Sequence, residues 1–423
     1  MAKNSIFSDD FTTEKKPVVV ENKEIGKFAK IISADVPDEA KRKGEQFARE
    51  IEERFVSDFE KSERLLKERK VSERDLMAHV STFAVINDVI YVTYYANTKE
   101  PSEDPNNQTA RFVYCPVNDL ENKTFIDIQT AGDICGGRKV NMVYDTILMQ
   151  KDEDTLYIMW TANIEGNYYR LYCPYTISTR KLGEIRVNRF KAGKVINDFS
   201  TSGIQSALRE NGVSFKKMYS DIGIMQKLSK REENGEVFYY TGAYSGDFTC
   251  IIKSRDLVTW EYVSEPDFPN DSIWENATYV IGDKCYYFVR QHDESKYGFL
   301  TVYDLVNKTW ETPVLVEDCQ SRADFIVYKG QLYLFHAPID REHIGIIRVD
   351  TENIADSTVV LSAHMHTSCF YPFVQYFGDG ELAMSYTVDR KHIRLAEFKL
   401  SKYTGENSIE SVHKKSLSFL ESC

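Results

Sequence analysis

Short apolar segments separated by polar turns follow one another from Leu76 to Leu400. The stretch 271–292 gives the unit in its plainest form: apolar residues from Ala277 to Ile281, a Gly-Asp turn, and apolar residues from Cys285 to Val289. Aromatic and β-branched residues are typical of strands, and the glycine turn between the two segments predicts a β-hairpin.

Six stretches share this order of polar residue, apolar strand, turn and aromatic-rich strand, and they begin at His79, Asp145, Asp221, Glu275, Arg322 and Tyr371. Their starts lie about 50 to 75 residues apart, as in repeats of four-stranded units. Each repeat is too small to bury its own apolar face, so the pattern predicts an all-β fold, a six-bladed β-propeller over residues 76–423. Five blades with a decorated N-terminus are the alternative. A strand from the N-terminal segment or the extreme C-terminus should close the ring, since an open ring exposes an unpaired edge.

Residues 1–75 differ from the rest, and from Pro37 to about Lys70 they have a helical period. Phe47, Ile51, Phe55 and Phe59 recur every four residues, and charged residues fill the positions between them. The pattern predicts one long helix in an N-terminal extension, with its charged side in solvent. Alternatively, the aromatic stripe of this helix forms the interface of a homodimer.

Composition and charge restrict the partners and the cellular location that we expect. The chain has 423 residues, a net charge of −12 and a sequence pI near 5.3, which argues against a nucleic-acid partner. Eight scattered cysteines without a CxxC pair suit reduced thiols, and no stretch has the length of a membrane span or the apolar core of a secretory signal. We therefore expect a cytoplasmic protein with no membrane partner.

Cofactor motifs are absent from the sequence. It contains no phosphate-binding loop, dinucleotide fingerprint or Gly-x-Ser-x-Gly elbow, so we expect no cofactor. His364 and His366 could face one side of a strand, but no third ligand accompanies them at a metal-binding spacing, and no metal is expected.

Polar residues at one end of each propeller repeat converge at the mouth of the central channel, so the hairpin ends are the candidate site. The first strands begin with the six polar residues given above. The ends of the second strands and the loops after them add Tyr95, Trp160, Tyr244, Arg290, His336, Tyr386, Asp104, Arg341 and Arg390. Arginines pair with carboxylates, and aromatic rings stack on sugar faces. This combination predicts a small carbohydrate substrate bearing an acidic group.

The order of Glu275, Arg290, Arg322 and Tyr371 resembles that of the sialidase superfamily. The resemblance implies Tyr371 as nucleophile, Glu275 as the base that activates it, Arg290 and Arg322 as clamps on the substrate carboxylate, and Asp104 as acid/base. His79 stands where that family has its first arginine. The family's Asp-box appears only in shortened form, from Ser254 to Trp260. A sialidase-like glycoside hydrolase is the function that this resemblance implies.

Three alternatives stay open. The segment from Ser254 to Glu261 also resembles five-bladed arabinanase- and fructosidase-type hydrolases, which would make Asp145, Asp221 and Glu275 the catalytic acids. A resemblance to propeller polysaccharide lyases would use His79 and Tyr371 for proton abstraction beside a uronate carboxylate. The third is a propeller that binds a glycan or a protein without catalysis.

Overall fold

The computed structural model describes residues 29–32, 35–56, 75–119, 122–218, 221–266, 273–291, 297–319, 321–338, 340–377 and 380–404. It is an all-β propeller, as the alternation of apolar segments and turns predicts. Within the described residues the strands form six sheets, and each sheet contacts the next one along the chain, with the sixth against the first.

The sheets are numbered by the order of their innermost strands. The first contains β3 Met77–Ile86, β4 Val89–Asn97, β5 Gln108–Pro116 and β6 Thr124–Thr130. The second contains β7 Ile134–Cys135, β8 Arg138–Gln150, β9 Thr155–Ile164, β10 Asn167–Thr176, β11 Lys181–Leu182 and β12 Arg186–Val187. The third contains β13 Arg189–Ala192, β14 Val195–Asp198, β15 Ile222–Ile224, β16 Ser229–Glu233, β17 Glu236–Ser245, β18 Phe248–Ser254 and β19 Thr259–Ser264.

The other three sheets include two strands from the N-terminal segment. The fourth contains β1 Lys30–Ile32, β20 Ile273–Ile281, β21 Lys284–Gln291, β22 Gly298–Asp304, β23 Thr309–Trp310 and β24 Val314–Val316. The fifth contains β25 Asp324–Tyr328, β26 Gln331–His336, β27 His343–Val349 and β28 Thr358–His364. The sixth contains β2 Glu52–Val56, β29 Phe370–Tyr376, β30 Leu382–Val388 and β31 His392–Phe398.

Apolar side chains fill the space between neighbouring sheets. At each interface, buried residues of the two neighbouring sheets belong to one apolar cluster. Taken around the ring from the first and second sheets to the sixth and first, examples are Phe112 and Trp160, Met159 and Trp260, Tyr240 and Tyr287, Ala277 and Phe325, Phe335 and Met384, and Phe373 and Phe83. Burial of one such large side chain contributes about 1.5–3 kcal/mol to stability. The core is therefore a ring of interfaces between sheets.

The predicted long N-terminal helix is wrong in its extent. The helix covers Asp38–Glu50, and Glu52–Val56 is a strand that pairs antiparallel with His392–Phe398. Phe47 packs against the rings of Phe398 and Tyr403, so this residue of the aromatic stripe serves the core of this chain. The strand supplies backbone hydrogen-bond partners to the outer edge of the sixth sheet. A longer helix would leave that edge unpaired. It also closes the ring from the N-terminal side, as expected. Phe59 lies outside the described residues.

The remaining helical segments are short. They are the α-helices Thr201–Glu210 and Ser401–Thr404 and the 3₁₀ helices Pro105–Asn107 and Ile354–Asp356. None of the described helices has the length and apolar character needed to cross a bilayer. The seven cysteines within the described residues are all free thiols. Cys423 lies outside those residues.

Irregularities interrupt four of the innermost strands. The pairing register shifts between His79 and Thr82, between Tyr144 and Ile147, between Ile273 and Asn276, and between Phe370 and Phe373. The left-handed residues at these bulges are Val80 (φ 56°), Asp145 (φ 49°) and Tyr371 (φ 54°). A bulge re-aims the side chain that it carries, and bulges are common beside active sites.

Candidate active site

Glu275, Arg290 and Arg322 form a buried ion-pair group where the fourth sheet meets the fifth. Arg322 donates from Nε and Nη2 to Glu275 Oε1, at 3.1 and 2.5 Å. Arg290 Nε lies 3.2 Å from Glu275 Oε2. The hairpin of β20 and β21 brings Glu275 and Arg290 to the same end, as the sequence predicts.

Tyr371 lies against this group. The centre of its ring is 5.1 Å from Cζ of Arg322 and 5.7 Å from Cζ of Arg290. Its hydroxyl is close enough to Glu275 to help lower the pKa of that carboxyl. The four residues named by the sialidase resemblance are therefore brought together.

Asp145 extends the group into the second sheet. Its Oδ1 lies 2.7 Å from Arg322 Nη2, and its Oδ2 accepts a hydrogen bond of 3.0 Å from Arg170 Nη1. Arg170 also donates to the Asp145 carbonyl and to Thr161 Oγ1, so it is fixed by several bonds. Asp221, at the start of the third sheet, stands near Asp145 and Glu275 and contributes a third carboxyl.

His79 packs against the ring of Tyr371. The two rings are 4.6 Å apart and tilted by 32°, and His79 Nδ1 is 3.0 Å from Thr387 Oγ1. Tyr95 and Phe370 pack edge-on against the same imidazole. Residues from all six sheets, or from the loops beside them, thus line one site.

Arg341 and Arg390 complete the positive side of the site. Their Cζ atoms lie 5.1 and 5.5 Å from the centre of the Phe370 ring. Arg390 forms an ion pair with Glu103, and Glu103 also accepts a hydrogen bond from the Tyr95 hydroxyl. Arg341 and Arg390 follow equivalent strands of the fifth and sixth sheets, and both are left-handed, with φ of 54° and 51°.

Burial and neighbouring charges set the protonation states. Burial lowers the pKa of His79 well below its usual value, and Arg390, Arg322, Arg341 and Arg290 lower it further, so the imidazole is neutral at pH 7. Burial raises the pKa of Tyr371 to about 12, although Arg290 and Arg322 oppose the shift. Burial would also raise the pKa of Glu275, but Arg322 and Arg290 outweigh it and hold the pKa below its usual value.

Asp104, predicted as acid/base, has another role in the structure. Its Oδ1 accepts from the backbone N and side-chain Nδ2 of Asn106, and its Oδ2 accepts from Nδ2 of Asn107. It therefore caps the 3₁₀ helix Pro105–Asn107. Glu103, the preceding residue, is the one that faces Tyr95 and Arg390.

Three other predicted substrate-binding residues lie away from this cluster, two of them in the apolar core and one beside a separate cavity. Trp160 is buried between the first and second sheets and donates to Gln129 Oε1 at 2.8 Å. Tyr386 is buried between the fifth and sixth sheets. His336 lines a separate cavity of about 20 Å³ that Ile32 and Val36 also border, and burial lowers its pKa to about 4.

Sequence reasoning missed Arg170, Glu103 and Phe370. Arg170 lies inside a third strand, where a hairpin pattern gives no reason to look for a buried charge. For Glu103 a signal existed, because Asp104 followed by Pro105 is a typical helix start in which the aspartate is committed to the cap.

The site has no evident metal centre. Among the described residues no group of three or more His, Cys, Asp or Glu is placed to hold a metal ion. His364 and His366 do approach each other, with 3.1 Å between their Nδ1 atoms, at an exposed position.

The fold of the chain is similar to that of sialidase β-propellers. Trypanosoma rangeli sialidase in complex with the inhibitor DANA has a TM-score of 0.55 and 15% identity, over 79% of this chain and 57% of that one. The same sialidase with sialic acid has a TM-score of 0.52 and 13% identity, over 77% and 54%. The Hadza microbial sialidase Hz136 has a TM-score of 0.55 and 12% identity, over 78% and 67%.

These likenesses concern the fold, at low identity. The chain spans slightly more than half the length of the Trypanosoma rangeli sialidase chains. No protein-family model matches the sequence, and no curated protein matches it significantly.

Proposed function

We propose that this protein is a carbohydrate-active enzyme, a glycoside hydrolase that cleaves a sugar bearing a carboxylate. The observation that carries the proposal is the position of Tyr371, whose hydroxyl lies beside the Glu275 carboxylate and whose ring lies against Arg290 and Arg322. A tyrosine nucleophile keeps negative charge away from an anionic substrate, in contrast to the usual pair of carboxylates.

The charges of the pocket support an anionic substrate. Its described members include five arginines, Arg170, Arg290, Arg322, Arg341 and Arg390, and three carboxylates in ion pairs, Glu103, Asp145 and Glu275. This excess of cations stands in a chain of net charge −12, so it is a local feature. The buried Nη1 of Arg322 has no hydrogen-bond partner among the described residues, and a substrate carboxylate could accept from it.

Tyr371 and Glu275 divide the chemistry between them. The phenol is protonated at neutral pH, since its pKa is raised to about 12. Glu275 is ionised and can take that proton as the Tyr371 oxygen attacks the anomeric carbon. The arginines hold the sugar carboxylate and screen it from Glu275.

The five-bladed hydrolase alternative would need Asp145, Asp221 and Glu275 as its catalytic acids. Against it, we propose six blades, because each of the six sheets supplies a residue to the site from its inner strand or the loop before it.

The lyase alternative has one observation in its favour. His79 is neutral and stacks on Tyr371 beside four arginines, as abstraction of a proton next to a neutralised uronate would need. The two reactions give different products, because only a lyase leaves an unsaturated uronate.

The test is Tyr371→Phe, assayed on aryl glycosides of sialic acid and glucuronic acid and on a polyuronate. We expect kcat to fall by at least about 10²-fold, since the lost hydroxyl is the nucleophile, while binding of a carboxylate inhibitor changes little. The matched control is Tyr376→Phe on the same strand, whose exposed hydroxyl donates to the Val327 carbonyl. Full activity of Tyr371→Phe would contradict the proposal, and an unsaturated product would establish the lyase.

A further inference from the structure

One carboxyl of the site lacks the cation that each of its neighbours has. Asp145 and Glu275 share Arg322, and Glu103 pairs with Arg390. Asp221 forms no ion pair within the described residues, and its buried Oδ1 has no hydrogen-bond partner there. A carboxyl enclosed without a cation keeps its proton, because the charged form is the one that burial disfavours.

The position of Asp221 is fixed by the strand that follows it. The Thr161 hydroxyl donates to the Ile222 carbonyl at 2.5 Å, and Arg170 donates to the Ile224 carbonyl at 3.3 Å. Gly223 lies so close to the site that a Cβ there would be 2.2 Å from Tyr244 Cε1 and 2.8 Å from Asp145 Oδ2. These contacts hold Asp221 at the edge of the pocket on the side of the second sheet.

The groups that face Asp221 come from several sheets. They are Tyr144 and Asp145 of β8, Tyr168 and Arg170 of β10, Tyr244 of β17, Glu275 of β20, and Arg322. Burial raises the pKa of Asp221 to about 8, and the charges of Asp145 and Glu275 raise it in the same direction, while Tyr144 and Arg322 oppose them. The carboxyl is therefore predominantly protonated at pH 7.

We propose that Asp221 is the general acid of this site and gives its proton to the oxygen of the departing group. The proposal rests on the hydrolase function and deepens it. The other carboxylates are less suited, because Glu103, Asp145 and Glu275 form ion pairs with arginines. Asp104 accepts hydrogen bonds within its own turn. Tyr144 and Tyr168 then flank the departing group, so the substrate is a glycoside whose second ring stacks on tyrosine.

The proton balance of the reaction is complete. In the first step the Tyr371 oxygen bonds to the anomeric carbon, its proton passes to Glu275, and the glycosidic C–O bond breaks. The departing oxygen takes the bond's electron pair and the Asp221 proton. In the second step the Asp221 carboxylate takes a proton from water, the water oxygen bonds to the anomeric carbon, and Tyr371 leaves with the proton returned by Glu275.

The first test compares Asp221→Asn on aryl glycosides with good and poor leaving groups. With a poor leaving group we expect kcat/KM, which reports the first step, to fall by about 10²–10⁴-fold, the usual contribution of a general acid. With a nitrophenyl leaving group, which departs without a proton, the fall in kcat/KM should be less than about 10-fold. The wild-type decline of kcat/KM above about pH 8 should also disappear in the variant.

Asp145→Asn is the matched control, because it makes the same chemical change in the same pocket. Asp145 positions arginines and transfers no proton, so its loss should lower the rate equally for all leaving groups. An equal loss in Asp221→Asn would overturn the proposal.

The second test needs no substrate. Folded Asp221 keeps its proton up to about pH 8, whereas an unfolded aspartate releases it near pH 4, so this group lowers stability as pH rises through that range. Asp221→Asn should therefore gain stability relative to wild type between about pH 4 and pH 8 in urea unfolding. A difference that does not change with pH would mean that Asp221 ionises normally, and would overturn the proposal. A wild-type protein inactive on every glycoside would instead count against the hydrolase function. The pH dependence of the stability difference could still be measured, because it needs no substrate.

Discussion

At the scale of single residues, one guanidinium organises the site. Arg322 is almost fully buried and contacts Glu275 and Asp145 with the same Nη2 nitrogen, at 2.5 and 2.7 Å. Two carboxylates so near each other would repel if no cation lay between them. The charge of Arg322 therefore offsets the repulsion between the two carboxylates.

Arg322→Lys tests this arrangement. A lysine has a single ammonium group without the planar fork, so it cannot hold both carboxylates in the same geometry. We expect a loss of about 1–3 kcal/mol in the free energy of unfolding, because the positive charge remains while buried oxygens lose hydrogen bonds from the guanidinium. Urea denaturation measures it, with Arg348→Lys on the exposed side of β27 as control. A loss no larger than that of the control would contradict the bridging role.

Prediction from sequence worked best where neighbouring strands fix the geometry. Glu275 and Arg290 could be placed together because a two-residue turn leaves little freedom. Glu103 and Asp104 could not be distinguished by period alone, since adjacent residues of a loop point in directions set by its turn. The sequence predicts Trp160 and Tyr386 at the ends of strands, but they lie inside β9 and β30. Their residue type alone does not tell core from pocket.

At the scale of elements, irregular starts of strands bring the site together. Val80 and Tyr371 have left-handed backbones, which are rare for bulky and β-branched residues and mark strain that the surrounding fold must hold. An alternating pattern of apolar residues does not predict such a bulge. The third sheet uses close packing, because Gly223 lets β15 lie against Tyr244 and Asp145.

Gly223→Ala should displace this strand. The new methyl would overlap Tyr244 and Asp145, so we expect a loss of about 1–3 kcal/mol in stability together with a clear fall in activity. Gly282→Ala is the control. That glycine has a φ of +57° and no atom near its Cβ position, so alanine strains only a distant turn and should leave activity unchanged. If Gly223→Ala is fully active, close packing of β15 does not position the site.

The point at which the N-terminal helix ends is set by the neighbouring sheet. A period of four residues continues past Ile51, but the chain becomes a strand at Glu52 because the edge of β31 offers backbone partners. Local helix propensity is a weaker determinant of the structure here than this strand pairing.

At the scale of the whole molecule, one side chain crosses the ring. Lys227, three residues after β15 of the third sheet, places Nζ 3.0 Å from Asp324 Oδ2 of the fifth sheet and donates to the Val374 carbonyl of the sixth. It also lies 4.6 Å from the centre of the Phe373 ring. Burial lowers the pKa of Lys227 and raises that of Asp324 to about 6, with each charge partly restoring the other.

Lys227→Met should therefore be strongly destabilising. It leaves Asp324 buried without its cation, and we expect a loss of about 3–5 kcal/mol in the free energy of unfolding. Adding Asp324→Asn should recover much of that loss, and a double-mutant cycle measures the coupling. Lys191→Met, which breaks a half-exposed pair with Glu261, should cost less than about 1 kcal/mol. Equal effects of the two lysine variants would show that the contact across the ring adds no stability.

During synthesis, the strand that completes the sixth sheet is made before any of the inner strands, and its partner His392–Phe398 is made after all of them. Until that partner emerges from the ribosome, Glu52–Val56 has nothing to pair with, so ring closure belongs to the last stage of folding. Contacts so distant along the chain are slow to form. A nascent chain shorter than this presents open strand edges, and such chains are what molecular chaperones would meet first.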